Sequence, residues 1–187
     1  MKETISRAQA RFLKLDGISY PVQSRTLQLT LSPEAQRFLI TQAQGDGIYR
    51  SGPLFGERRR GHLMVQYAAH SGVPPIHPQG SHVLDLHPYY VLGYSAALRA
   101  TNPKVDWVGH WLGFPQGMIE QDGEIDNYIS EALQVGLIDA AHPLLFLRRV
   151  GNHIGFWAFT LVQMQSEMIP VIPSLIVLPE GTGEEKR

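Results

Sequence analysis

Two apolar segments near the C-terminus, separated by a short turn, most constrain the fold of this chain. The first reads LLFLRRV (residues 144–150) and the second reads IGFWAFTLV (residues 154–162), with GNH as the turn. Short apolar runs that are bounded by a turn predict two paired β-strands. Because the second run is apolar at nearly every position, we expect both of its faces to be covered. The chain therefore requires a sheet with packing on two sides.

Strand and helix patterns follow one another along the rest of the chain. TLQLTL (residues 26–31) alternates like a strand, and the next segment begins a helix with Ser32 as its N-cap and Pro33 at its first position. Further strands are predicted at residues 52–57 and 62–69 as a hairpin, at 82–86, at 105–111 and at 174–179, and further helices at 88–100 and from 124 onward. This order of elements predicts an α/β (α+β) domain in which helices flank a mixed β-sheet.

The length of the chain favours a single domain. A chain of 187 residues is long enough to bury a hydrophobic core without disulfides or structural metals. We expect an N-terminal extension over residues 1–25 that is partly strand, a domain over residues 26–179 and a disordered tail over residues 180–187.

Charge and composition argue against several classes of partner. The chain has 16 Lys and Arg against 17 Asp and Glu and contains no Cys. A formal net charge of −1 gives no broad attraction to nucleic acid or to anionic lipid. The longest apolar run is about half of a membrane span, and the N-terminus lacks the apolar stretch of a signal peptide. We therefore expect a cytoplasmic protein with no nucleic-acid or membrane partner.

Three segments carry a resemblance to a known family. GPLFGERRRGHLMV, then DWVGHW, and then a loop and a helix bearing Asp126 resemble the JAB1/MPN/Mov34 domain, the JAMM metalloprotease family, over roughly residues 26–165. The resemblance implies that family's cytidine-deaminase-like architecture. It also implies a zinc ion held by two His and one Asp, a Glu that acts as general base on the zinc-bound water, and a Ser that helps to hold the oxyanion.

Most of these positions carry other residues in this chain. Tyr49 stands where the resemblance places the Glu, and Leu112 and Phe114 stand where it places the two His, with Pro115 retained after them. Catalytic zinc needs three protein ligands and an open water position, which these side chains do not supply.

The position of the remaining carboxylate depends on the length of one loop. With the common spacing, Gly123 replaces the Ser and Asp126 retains the Asp. A shorter loop pairs Ile119 with Asp122 instead. Either register loses the Ser and leaves one carboxylate, which cannot hold zinc alone.

The resemblance therefore predicts a non-catalytic JAB/MPN-like domain that binds or scaffolds proteins. Its expected ligand is a ubiquitin-like tail or a partner protein, its candidate contact residues are His110, Trp111 and Pro115, and no cofactor is expected. We expect His110 to be satisfied by Asp126 or by a backbone carbonyl. The alternative is an active zinc-dependent metalloprotease or isopeptidase, with the metal held by relocated ligands among His70, His77, His82, His87 and His110.

Three other features have ordinary explanations. Glu57 and the arginines that follow it are expected to form a solvated turn. Tyr89, Tyr90 and Tyr94 on the second predicted helix are expected to line a contact between domains, although the helical spacing of Tyr90 and Tyr94 is equally consistent with the core. Homo- or hetero-oligomers are therefore an open expectation.

Overall fold

The computed structural model describes residues 5–15, 28–43, 48–72, 83–114, 124–150, 153–162, 165–169 and 171–172. The helices and strands follow one another in this order: α1 (Arg7–Phe12), β1 (Gln28–Leu31), α2 (Pro33–Ala43), β2 (Arg50–Arg59), β3 (His62–Ala68), α3 (Pro88–Thr101), β4 (Asp106–Gly113), α4 (Glu124–Gln134), β5 (Leu144–Val150), β6 (His153–Val162), β7 (Gln165–Ile169) and β8 (Val171–Ile172). The predicted combination of a mixed sheet with helices is confirmed.

The strands form one curved sheet in the order β7-β6-β5-β4-β2-β3-β1-β8. Antiparallel pairing joins β7 to β6, β6 to β5, β4 to β2 and β2 to β3. Parallel pairing joins β5 to β4, β3 to β1 and β1 to β8. Because β8 also contacts β6, the sheet is nearly closed.

Side chains alternate between two packed faces of this sheet. In β5, Leu145 and Leu147 join the cluster under α2, whereas Leu144 and Phe146 join the cluster under α4. A third cluster, under α1 and α3, lies beside the α4 cluster and shares Phe12 with it. Alternation of this kind is what a strand buried on both faces requires, so β5 lies in the centre of the core.

Polar side chains at the first turns explain where two helices begin. The Ser32 hydroxyl accepts a hydrogen bond from Ala35 N at 3.2 Å, as predicted for the cap of α2. The Nδ1 atom of His87 accepts one from Tyr90 N at 3.3 Å, directly before Pro88. Both caps satisfy backbone N–H groups that have no partner within the helix.

Helix α1 joins the N-terminal segment to the domain. Ser6 and Gln9 form a capping box at its start, and the Asp106 carboxylate of β4 accepts hydrogen bonds from Arg7 N at 2.7 Å and Ala8 N at 3.3 Å. Phe12 packs edge-on against Trp107 with ring centroids 5.2 Å apart. The described part of the 1–25 extension, predicted as partly strand, is therefore a docked helix, and residues 16–25 lie outside the described residues.

Three local predictions need correction. The segment predicted as a strand at 82–86 has turns and irregular backbone at residues 83–86, because the Ser51 hydroxyl holds Val83 O at 2.8 Å while Leu84 packs into the α4 cluster. Strand β7 was not predicted. Strand β6 is not covered on both faces, since Trp157 is 36% exposed. Residues 174–179 and 180–187 lie outside the described residues.

In the described part of the chain, no helix is long and apolar enough to cross a membrane.

Candidate functional site

Three residues that the sequence singles out come together at one end of β2 and β4. Arg50 pairs with Gly113 across these strands, so Tyr49 lies next to Leu112 and Phe114. The three side chains belong to one buried cluster, and their exposed fractions are 4%, 0% and 8%. We call Tyr49, Leu112 and Phe114 the apolar plug.

Aromatic contacts fix the plug against helix α4 and strand β5. The ring of Phe114 lies 5.9 Å from that of Tyr49, 5.7 Å from that of Tyr128 and 5.6 Å from that of Phe146, measured between centroids. Edge-on and offset aromatic pairs at these distances are favourable. The plug is therefore held by ring packing on several sides.

Two hydrogen bonds to Glu124 lie on the side of the plug that faces α4. The Tyr49 hydroxyl donates to Glu124 Oε1 at 2.7 Å, and the Tyr128 hydroxyl donates to the same atom at 3.4 Å. Burial, together with these neighbours, raises the pKa of Tyr49 well above its usual value. The phenol therefore stays protonated and acts as a donor to a carboxylate.

Replacement of Tyr49 by Phe tests this contact. We expect Tyr49→Phe to lower the free energy of unfolding by about 1.5–3 kcal/mol, the range for hydrogen bonds to charged groups. Urea unfolding at pH 7 measures the change. Tyr89→Phe is the matched control, because Tyr89 is 76% exposed and its hydroxyl should contribute little. An equal loss in both variants would show that the Tyr49 hydroxyl does not stabilise the plug.

An open groove lies directly beside the plug. Its volume is about 190 Å³, and its lining residues come from α4, β5, β6 and the end of β4: Phe114, Glu124, Ile125, Phe146, Arg148, Trp157 and Phe159. Pockets for complete small molecules or cofactors usually exceed about 300 Å³. The groove therefore suits one or two side chains of a partner better than a whole cofactor.

Trp157 is the main exposed aromatic residue of the groove. Its indole lies against Gly155, where a Cβ atom would collide with the ring. The residue is 36% exposed, whereas Trp107 and Trp111 are at most 1% exposed. Aromatic side chains of this kind are common energetic centres of protein interfaces.

The carboxylate at the site is Glu124 rather than the residues that the sequence suggests. Asp126 is exposed in the first turn of α4, although one register retains it as a zinc ligand. The other register rests on Ile119 and Asp122, which lie outside the described residues, as do Pro115 and Gly123.

The residues at the plug do not fit a zinc ion. Leu112 and Phe114 have no donor atom, and the phenol of Tyr49 already donates its proton to Glu124. The described histidines of the alternative zinc site do not come together around a metal position. His70 packs against Phe38, and His87 caps a helix. Across the described ranges, no group of three or more His, Asp or Glu could hold a metal ion. His77 and His82 lie outside those ranges.

The two described candidates for partner contacts are buried. His110 and Trp111 are both 0% exposed, so neither side chain reaches the surface of the folded domain. Trp111 Nε1 donates to Ala69 O at 2.9 Å.

His110 differs from its prediction in a second way. Asp126 does not bond to it, and among the described residues neither of its ring nitrogens has a hydrogen-bond partner. Burial lowers the pKa of His110 to about 3. The imidazole is therefore neutral in the folded protein.

Glu57, predicted as part of a solvated turn, is 7% exposed. Its carboxylate accepts hydrogen bonds from Arg59 Nη2 at 2.7 Å and from Gln66 Nε2 and Asn102 Nδ2, each at 3.3 Å. The bond from Arg59 holds the pKa of Glu57 below its usual value. Glu57 lies at the opposite end of β2 from Tyr49, so it is not a substitute general base for the plug.

Glu124, Arg148 and Trp157 line the groove and were not predicted as site residues. The sequence does place Glu124 at the start of a predicted helix. It also places Arg148 and Trp157 on the two predicted strands of one hairpin. Residues 148 and 157 lie on neighbouring strands, because Phe146 pairs with Trp157.

Comparison with known proteins yields a fold and no family. No protein-family model matches the chain, and no curated protein sequence matches it. The chain is similar in structure to protein DSY2949 from Desulfitobacterium hafniense, known from a solution structure, with a TM-score of 0.52 and 11% sequence identity over 78% of this chain and 92% of that one. At this identity the likeness concerns the fold alone.

Proposed function

We propose that this chain is a non-catalytic JAB/MPN-like domain that binds the extended tail of a ubiquitin-like or other partner protein. The observation that carries the proposal is the apolar plug. The three positions at which the family resemblance requires a base and two zinc ligands converge in space, and Tyr49, Leu112 and Phe114 fill them. A site of this composition cannot activate water, yet the groove beside it stays open.

The lining of the groove supports a peptide as its occupant. Phe114, Phe146 and Trp157 provide an apolar surface, while Glu124 and Arg148 add one acidic and one basic group. An apolar side chain of the tail packs on the aromatic surface. A carboxylate of the tail pairs with Arg148, because guanidinium groups bind carboxylates through two parallel hydrogen bonds.

Binding of a ubiquitin-like tail to the full chain tests the proposal. Ubiquitin-like proteins with free C-terminal tails are titrated against the chain while tryptophan fluorescence is recorded. We expect saturable binding with a change in emission, because Trp157 is the most exposed of the three indoles. Fusions of the same ubiquitin-like proteins to a C-terminal peptide are incubated with the chain to test for cleavage, and the purified chain is analysed for metal. Stoichiometric zinc with cleavage would overturn the proposal.

The Trp157→Ala variant locates the binding site. We expect it to weaken tail binding by about 30-fold or more, since truncation of an interface aromatic residue often costs at least 2 kcal/mol. Val150→Ala is the control, because Val150 is an exposed apolar residue of β5 that does not line the groove. Isothermal titration calorimetry measures both affinities. Tail binding that survives in Trp157→Ala would place the contact elsewhere.

A further inference from the structure

A second cavity, at the opposite end of β2 and β4 from the groove, is lined mainly by positive charges. Its volume is about 310 Å³. Its charged lining residues come from α1, the end of β2, α3 and the segment leading into β4: Arg7, Arg58, Arg60, Arg99, Lys104 and Asp106. We call it the basic cavity. Among the described residues that line the cavity are five cations and one carboxylate, in a chain whose net charge is −1, so overall composition does not explain the cluster.

Asp106, the one carboxylate among the described lining residues of the basic cavity, mainly accepts hydrogen bonds from the backbone. Asp106 accepts hydrogen bonds from Arg7 N at 2.7 Å, Ala8 N at 3.3 Å and Trp107 N at 2.8 Å. Its contact with Arg99 Nη1 is longer, at 3.6 Å. Asp106 therefore holds helix α1 in place and offsets only a part of the positive charge.

Arg58 is held in the wall of the cavity although burial disfavours its charge. Its guanidinium donates to Ala141 O, and its Nε atom is buried without a hydrogen-bond partner among the described residues. Burial, followed by repulsion from Arg7, lowers the pKa of Arg58 to about 10. Because the group remains charged at neutral pH, an anion in the cavity would relieve both effects.

Arg60 occupies a turn position whose positive φ angle is unfavourable for an arginine. The β2–β3 hairpin turns through Arg60 and Gly61 with φ angles of +46° and +84°. A two-residue turn with both φ angles positive favours Asn, Asp or Gly at its first position. Strain of this kind is often maintained for a functional reason. Here it places a cation on the cavity.

We propose that the basic cavity binds a diphosphate group, either as free pyrophosphate or as part of a phosphate ester such as a nucleoside diphosphate. Guanidinium groups recognise phosphate oxygens through paired hydrogen bonds. A terminal diphosphate group carries roughly three negative charges near neutral pH, whereas a carboxylate carries one, so it matches the excess of cations better than a small acid does. This inference does not depend on the function proposed for the groove.

Calorimetric titration of the full chain at low ionic strength tests the proposal. We expect saturable binding of pyrophosphate at one site, at least about tenfold tighter than binding of orthophosphate, and weakening as NaCl is added. Titration with ADP distinguishes the two sources. Equal affinities show that the diphosphate alone is bound, and tighter ADP binding shows that the nucleoside also makes contact. Absence of saturable binding of both ligands would overturn the inference, as would tighter binding of an RNA oligonucleotide than of either.

Two neighbouring arginines provide a matched pair of variants. Arg60→Asn removes a cation of the cavity and replaces it with a residue that the turn favours, so folding should be preserved or improved. We expect this variant to bind pyrophosphate about tenfold more weakly, as for loss of one charge-assisted hydrogen bond. Arg59→Gln removes the same charge from a residue that does not line the cavity, and we expect a change of less than about twofold. Equal weakening in both variants would contradict a site at the cavity.

Discussion

Replacement of His110 by Leu is expected to make the domain more stable, not less. His110 is completely buried between Pro53 of β2 and Leu144 of β5, and neither ring nitrogen has a partner among the described residues. A buried polar group without a partner costs about 1–3 kcal/mol. Leu is close to His in volume, so we expect the free energy of unfolding at pH 8 to rise by about 1–3 kcal/mol in His110→Leu.

The gain in the free energy of unfolding from His110→Leu should be larger at acidic pH. Burial lowers the folded-state pKa of His110 to about 3, from an ordinary value of 6.5. Above pH 6.5 the imidazole is neutral in both the folded and the unfolded state. Below pH 6.5 the unfolded state takes up a proton that the folded state does not. The native protein therefore loses stability by up to about 1.4 kcal/mol per pH unit until the folded pKa is reached.

Urea unfolding at pH 8, 6 and 5 measures both effects. At pH 5 the advantage of His110→Leu over the native protein should be about 2 kcal/mol larger than at pH 8. His153→Leu is the control, because His153 is exposed and its replacement should change little. Burial also lowers the pKa values of His70 and His142, so both proteins keep part of the acid dependence. Lower stability of His110→Leu at pH 8 would mean that the imidazole has a partner in the folded protein.

Truncation of the plug at Leu112 is expected to produce a large loss of stability. Leu112 of β4 is 0% exposed and belongs to the cluster under α4. Leu→Ala substitutions in rigid cores cost about 2–5 kcal/mol, because the transfer free energy is lost and a cavity remains. The aromatic contacts around Phe114 leave little freedom for collapse. We therefore expect a loss in the upper half of that range in Leu112→Ala.

Urea unfolding of Leu112→Ala and Leu133→Ala compares the plug with the surface. Leu133 is 38% exposed on α4, so its truncation should cost about 1 kcal/mol or less. If Leu112→Ala lost no more than the control, the plug would not be a stabilising replacement for metal ligands, and the proposed function would lose its main support.

The periodicity of the sequence was sufficient to predict the elements that bury an apolar face. Helices α2, α3 and α4 and strands β1 to β6 all lie close to where alternation and capping residues place them. Strand β7 escaped prediction because four of its five residues are exposed, which leaves no alternation to detect. The segment at 82–86 was misassigned because its apolar residues are buried by packing over the α4 cluster and not by strand pairing.

The structure brings Tyr49, Leu112 and Phe114 together in one cluster, and the carboxylate beside them is Glu124 rather than Asp126. The convergence of Tyr49, Leu112 and Phe114 follows from strand pairing. Glu124 and Asp126 are two residues apart, so they lie about 200° apart around the helix, and only one of them can face Tyr49. Only the orientation of α4 decides which of the two faces Tyr49, and no pattern in the sequence encodes that orientation.

The basic cavity could not be predicted because its members are distant in the chain. Arg7, Arg58 and Arg99 lie on three different elements, and only their packing brings them together. The same holds for the buried position of Glu57, which depends on Asn102 of another element.

Helix α1 changes where this unit begins for anyone who recombines it with other proteins. A piece cut at residue 26 retains every described strand of the sheet. It loses the backbone N–H groups that donate to Asp106 and the ring that covers Trp107. Such a piece would expose the indole of Trp107, and the Asp106 carboxylate would accept fewer hydrogen bonds. The smallest transferable module therefore starts before Ser6.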